Sequence, residues 1–190
     1  MLGSVKRMGD KKIYIVLTQT GTITSRIIKL LTGAKYNHSS ISLHRDLKLM
    51  YSFGRINPYN AFRGGFVHES SDFGTFKRFS NTKAIVLEIE VDDETHKSIT
   101  DTLEAMYESR NEYHYNYLGL WAAAFHIHRT KDNCFYCSEM VKEILIKHNI
   151  EGADKLPSIV HPMDFCSIPH NIVYDGLLRE YNLKELIPVN

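Results

Sequence analysis

Apolar and polar positions along the chain switch between a two-residue and a 3.6-residue period, and the switches mark out the elements. Ile13-Tyr-Ile-Val-Leu-Thr18 is a short, β-branched-rich run with almost no polar face, which is the pattern of a buried strand. Thr22 or Thr24 offers a cap for a helix whose Ile27, Ile28, Leu30 and Leu31 fall on one side before Gly33 stops it. From His38 to Phe53 the pattern reads as two strands around a turn at Arg45-Asp46, with Ile41 and Leu43 alternating against Ser40 and Ser42. Keeping that apolar face in register sets Leu49, Tyr51 and Phe53 against Leu43 and Ile41. Met50 and Ser52 then turn to the side of His38.

The period is lost over 54–82, where Gly54, Pro58, Gly64, Gly65 and Gly74 alternate with Tyr59, Phe62, Phe66, Phe73 and Phe76. This predicts a long irregular insertion lining a groove. Ala84 to Val91 then reads as a strand, and Asp92 or Asp93 caps a helix with Ile99, Leu103, Met106 and Tyr107 on one stripe. Asn116 to His126 reads as a buried helix. Cys137 to His148 reads as an amphipathic one, with Met140, Val141, Ile144 and Leu145 opposite Lys142, Glu143 and Lys147. A short helix near Met163 to Ser167 and a strand near Ile172 to Tyr174 complete the chain. No repeat or linker divides residues 1–190, so they are expected to form a single domain. Helices before and after an antiparallel sheet define an α+β class.

Charge and composition narrow the classes of partner. Among 190 residues, 23 Lys and Arg against 22 Asp and Glu leave a formal charge of +1, too little to draw the whole protein onto nucleic acid. A small-molecule or peptide partner fits this balance better. The apolar run from Leu118 to Phe125 is far below the roughly twenty residues that span a bilayer, so no integral membrane segment is expected. Behind the basic stretch Lys6 to Lys12, the apolar run Ile13 to Leu17 is too short for a signal peptide's core, so a cytoplasmic location is expected. Cys134, Cys137 and Cys166 are too few for a disulfide framework and read as thiols. No cofactor motif stands out.

Cys137 has the placement that nucleophilic chemistry exploits, because the unpaired N–H groups and dipole at a helix N-terminus stabilise a thiolate. The plainer alternative is a small apolar residue packed under the helix. His38 lies in a strand on the face of Ser40 and Ser42, bordering a polar groove, and is the candidate base. Ser52 is the candidate to orient its ring, and a one-residue slip of register would put Tyr51 there instead. A second reading assembles zinc from His126, His128, Cys134 and Cys137. It ranks lower, because residues two apart on a helix diverge by about 200°.

Tyr36-Asn-His38-Ser-Ser-Ile41, followed far downstream by Phe135-Tyr-Cys137-Ser-Glu-Met-Val141 at the head of a helix, resembles circularly permuted papain-fold cysteine hydrolases of the NlpC superfamily. The likeness is to their YiiX-like branch, related to lecithin retinol acyltransferase, in which the histidine strand precedes the cysteine helix. The resemblance implies a permuted papain-like fold, an antiparallel sheet or small barrel packed against helices. It also implies a thiol-dependent hydrolase or acyl-transfer enzyme acting on an amide or ester bond. Tyr113-His-Tyr115-Asn-Tyr117 is similar to the family's tyrosine segment, which implies a hydroxyl near the thiol, from Tyr113 first and Tyr115 next. Tyr51, Phe53, Arg55 and Tyr115 are the expected substrate-binding residues. His161-Pro-Met-Asp164-Phe165 and Tyr174-Asp-Gly176 are similar to the family's C-terminal pieces. Two departures stand out. Relatives often carry Glu or His as the orienting residue, whereas this hairpin offers only Met50, Tyr51 and Ser52. Family members that cut cell-wall peptides are commonly exported, and no signal is visible here. The uncharged third position keeps open a non-catalytic member of the fold that binds a small ligand.

Overall fold

In a computed structural model of the chain, residues 11–20, 35–57, 59–116 and 133–182 are described. Six strands form one antiparallel sheet in the order β4-β3-β2-β1-β5-β8. They are β1 (Lys11–Gln19), β2 (His38–Ser42), β3 (Met50–Asn57), β4 (Asn60–Glu69), β5 (Lys83–Val91) and β8 (Asn171–Leu177). β1 lies inside the sheet, and its Ile13 to Leu17 are buried on both faces, which is why the run shows no polar alternation.

The period of two divides the core. On one face Ile13, Ile15 and Leu17 of β1 join Ile41, Tyr51, Phe53 and Phe66, and they pack on two helices. Helix α2 (Asp93–Glu108) contributes Ile99 and Leu103, and helix α3 (Cys137–Lys147) contributes Met140, Val141, Ile144 and Leu145. The opposite face carries Tyr14, Val16, Met50, Ala84 and Val86. It is covered by Phe76 of the short helix α1 (Gly74–Arg78) and by Tyr174, Leu178 and Tyr181. Asp92 caps α2 as expected, its Oδ1 accepting the Thr95 N–H at 2.7 Å. A two-stranded parallel pair, β6 (His114–Tyr115) with β7 (Cys134–Phe135), leads into α3.

Residues 54–82 are not irregular. They contain the end of β3, all of β4 and α1. β4 hid from the sequence pattern because it packs large side chains on both faces, Phe66 and His68 on one and Val67 and Glu69 on the other, around a Gly64-Gly65 pair. The expected helices over 22–33 and beyond Asn116 towards His126 lie outside the described residues, and so do His126 and His128 of the zinc reading. Among the described residues no helix is long and apolar enough to cross a membrane.

The Cys137 helix is seated by its apolar stripe, in which Leu145 is fully buried. Leu145→Ala is expected to cost about 2–5 kcal/mol of stability, read as a lowered urea midpoint with an unchanged slope.

Candidate active site

Three elements bring the chemistry together. Helix α3 opens at Cys137, whose thiol is 2% exposed. Its first N–H groups have no intrahelical acceptor and point along the positive end of the helix dipole. Glu139 steadies this end by accepting the Tyr136 N–H at 3.3 Å. The helix head is tied to β2 by a buried hydrogen bond, Ser39 Oγ to Ser138 Oγ at 3.2 Å. Ser138 Oγ also lies 4.0 Å from the Cys137 sulfur. The Ser39 backbone N–H donates to that sulfur.

β2 begins at His38, which shares a sheet face with Ser40 and Ser42 because side chains alternate along the strand. On β3 the pairing of Ile41 with Tyr51 is the register the apolar pattern predicts, and it turns Ser52 to the same face. On β4 the pairing of Met50 with Glu69 brings a carboxylate to that face too. The imidazole Nε2 lies 2.9 Å from Glu69 Oε2 and 3.1 Å from Oε1. Ser40 Oγ donates to Glu69 Oε2 at 2.6 Å, which fixes the carboxylate. Ser52 Oγ donates to the Ser39 carbonyl at 3.0 Å and lies 3.3 Å from Nε2. Nε2 is thus committed to the carboxylate, and the Cys137 thiol is the other charge-bearing neighbour that acts on the ring.

Glycine at 54 makes room for this arrangement. A Cβ there would lie 2.8 Å from Glu69 Oε1 and 3.3 Å from Val67 Cγ2, so any larger residue pushes the carboxylate away from His38.

Electrostatics follow the geometry. Burial works against a charged His38, but the Glu69 carboxylate and then the Cys137 sulfur outweigh it and hold the imidazole well above its ordinary 6.5. Burial likewise works against the Cys137 thiolate, and the His38 charge and hydrogen bond, the Ser39 N–H and Ser138 bring the thiol below its ordinary 9.0. Glu69, although buried, is held below 4.5 by His38 and Ser40. Each of the three groups is therefore shifted towards its charged form, Glu69 and Cys137 by His38, and His38 by both of them. At Cys166, by contrast, burial and Asp164 push the thiol up.

Of the residues expected at the site, the structure brings Cys137, His38 and Ser52 together and adds Glu69. The charged orienting group is thus present after all. It comes from the strand beyond the hairpin, and Ser52 stands beside it as a supporting hydroxyl. Tyr51 and Phe53 are core residues, 3% and 0% exposed, and do not form groove walls. Tyr113 packs its ring 6.2–6.4 Å from those of Phe53, Phe66 and Phe135, whereas the interactions that set the thiol's acidity come from His38, Ser39 and Ser138. Tyr115 is half-buried in β6 opposite Phe135. Arg55 lines a cavity of about 440 Å³ that also includes Glu69, Phe73 and Phe76. Among the described residues no cluster of three or more His, Cys, Asp or Glu is placed to hold a metal ion.

Neither a scan of protein-family models nor a comparison with curated proteins finds a match to this chain.

Two outcomes are expected from alkylation. Iodoacetamide at neutral pH should label Cys137 ahead of the more exposed Cys166, as read by peptide mass spectrometry, because acidity outweighs exposure here. Glu69→Gln and, more weakly, Gly54→Ala should slow that labelling, by about tenfold for each pKa unit the imidazolium loses. Rates unchanged in both variants would contradict the coupling of Glu69 to the thiol.

Proposed function

We propose that this chain is a thiol-dependent hydrolase or acyl-transfer enzyme acting on an amide or ester bond, built on a permuted papain-like plan with Cys137, His38 and Glu69 as its triad. The observation that carries the reading is the placement of His38 Nε2 on the buried Glu69 carboxylate, with the Cys137 thiol at a helix N-terminus as the second group that raises the ring's pKa. The order of the histidine strand and cysteine helix supports it. Glu69 also supplies the charge whose absence favoured a binding-only member of the fold.

In this reading the Cys137 thiolate attacks the carbonyl carbon, and the π electrons move to the oxygen. The backbone N–H of Cys137 faces that oxyanion. As the tetrahedral intermediate collapses, the carbon–nitrogen or carbon–oxygen bond breaks. The imidazolium passes its Nδ1 proton to the departing amine or alkoxide, leaving a thioester on Cys137 and neutral His38. Water, or an acceptor amine or alcohol, then attacks the thioester while His38 takes its proton, and the thiolate leaves with the acyl product released. Glu69 holds the ring and stabilises its charged form throughout, without itself taking the proton. Peptides, amino-acid amides and acyl esters are the substrate classes this chemistry admits.

The test is a panel of p-nitrophenyl acyl esters and N-acyl amino-acid p-nitroanilides, with intact-protein mass spectrometry for the acyl adduct. An adduct on Cys137 is expected. Cys137→Ala and His38→Ala should lower turnover by at least about a thousandfold, and Glu69→Gln by about ten- to ten-thousandfold. Equal turnover by the wild-type chain and Cys137→Ala would refute the proposal.

A further inference from the structure

Charge is segregated at the far side of the edge strand from Glu69. A second cavity, of about 590 Å³, lies between β4, the 3₁₀ turn Arg110–Glu112 and β6. It is lined by Arg55, Arg63 and Arg110 with His68 and His114, and by no Asp or Glu. In a chain whose overall charge is +1, three guanidiniums around one cavity are a local feature that the total hides.

The cavity wall is built to hold one of these guanidiniums still. Arg110 donates to the Tyr107 carbonyl at 2.9 Å, and its guanidinium sits 4.6 Å from the centre of the Tyr107 ring. Tyr107 in turn stacks on His68, their planes 9° apart, and His68 meets the edge of Tyr51 with ring centres 4.8 Å apart. A stacked guanidinium presents its N–H groups as a planar fork that matches the two oxygens of a carboxylate or phosphate. Among the described residues no carboxylate pairs with Arg63 or Arg110. Arg63 and Arg110 thus bring strong donors to the wall that no described carboxylate neutralises.

We infer that this cavity is an oxyanion-binding site, taking the phosphate or carboxylate group of a small ligand on Arg110 and Arg63 with His68 beside them. The inference rests on residues separate from the thiol and stands whether or not Cys137 is a nucleophile. If it is, an anionic group held here lies next to the cavity that includes Glu69, since Arg55, Ile56 and His68 line both. The state of His68 fits an anion's arrival. Burial first, and then the Arg110 charge, keep its ring below 6.5, so an anion between them reverses the second effect.

The test titrates inorganic phosphate and, separately, glutarate into the full chain at constant ionic strength. The His68 imidazole resonances are followed by NMR across pH. Saturable binding with a rise in the His68 pKa is expected, and the tighter of the two anions identifies the headgroup. Arg110→Ala, an exposed position whose loss leaves the core intact, should weaken that binding by about tenfold to a hundredfold, with Arg110→Lys falling between. Cys137→Ala should bind as the wild type does, so that failure of the thiol chemistry and failure of this site are told apart. No movement of His68 with either anion at tens of millimolar, or equal binding by Arg110→Ala, would overturn the inference.

Discussion

An imidazole held beside a buried carboxylate and a buried thiol, each shifted towards its charged form, is the interaction on which the rest of this structure depends. Each of these charges taken alone would be costly to bury, and together they are tolerable only while every one keeps its partner. His38 comes from the start of β2, Glu69 from the end of β4 and Cys137 from the head of α3. The pairing of three strands and the seating of one helix must therefore agree to within hydrogen-bond distance. The apolar stripe of α3 and the buried face of the sheet meet that demand from one side.

From within the sheet the same demand is met by small hydroxyls. Ser39, Ser40, Ser42 and Ser52 are all fully buried, which is unusual company for the interior of a sheet. Each has a partner that explains it. Ser39 ties strand to helix, Ser40 fixes the carboxylate, Ser42 donates to the His44 and Leu49 carbonyls at the turn, and Ser52 binds the Ser39 carbonyl. Larger residues would crowd the ring, and alanines would leave carboxylate and carbonyl oxygens short of donors. Gly54 completes the set by giving up its side chain altogether to make room for Glu69.

Much of this was readable in the order of residues, and the unreadable part has a common cause. β1, the hairpin register, the Asp92 cap and the helix at Cys137 all rest on local period and local hydrogen bonding, which one stretch of sequence carries. Thus His38, Ser52 and Cys137 could be named before any coordinates. Glu69 could not, because its strand mixes apolar and polar side chains on both faces around two glycines, and a strand without alternation looks like a loop. The partner of a charge is also a long-range fact: 31 residues separate His38 from Glu69. An acidic residue closing an aromatic-rich run, Phe66-Val-His-Glu69, was the one available hint. Tyr51 and Phe53 erred in the other direction, since an aromatic beside a candidate site looks the same in sequence whether it lines a groove or fills the core.

Glu69 is the last residue of β4, and β4 is the edge of the sheet. Within the sheet an edge strand is paired on one side only, so the place of Glu69 is set by its pairing with Met50 of β3. The carboxylate that raises the His38 pKa therefore belongs to the sheet's margin and not to its centre. Were that pairing lost, the imidazole would keep its place on β2 without its countercharge, and the thiol would return towards the acidity of an ordinary cysteine. The acidity of one thiol at a helix head is thus tied to how well the outermost strand of the sheet is zipped.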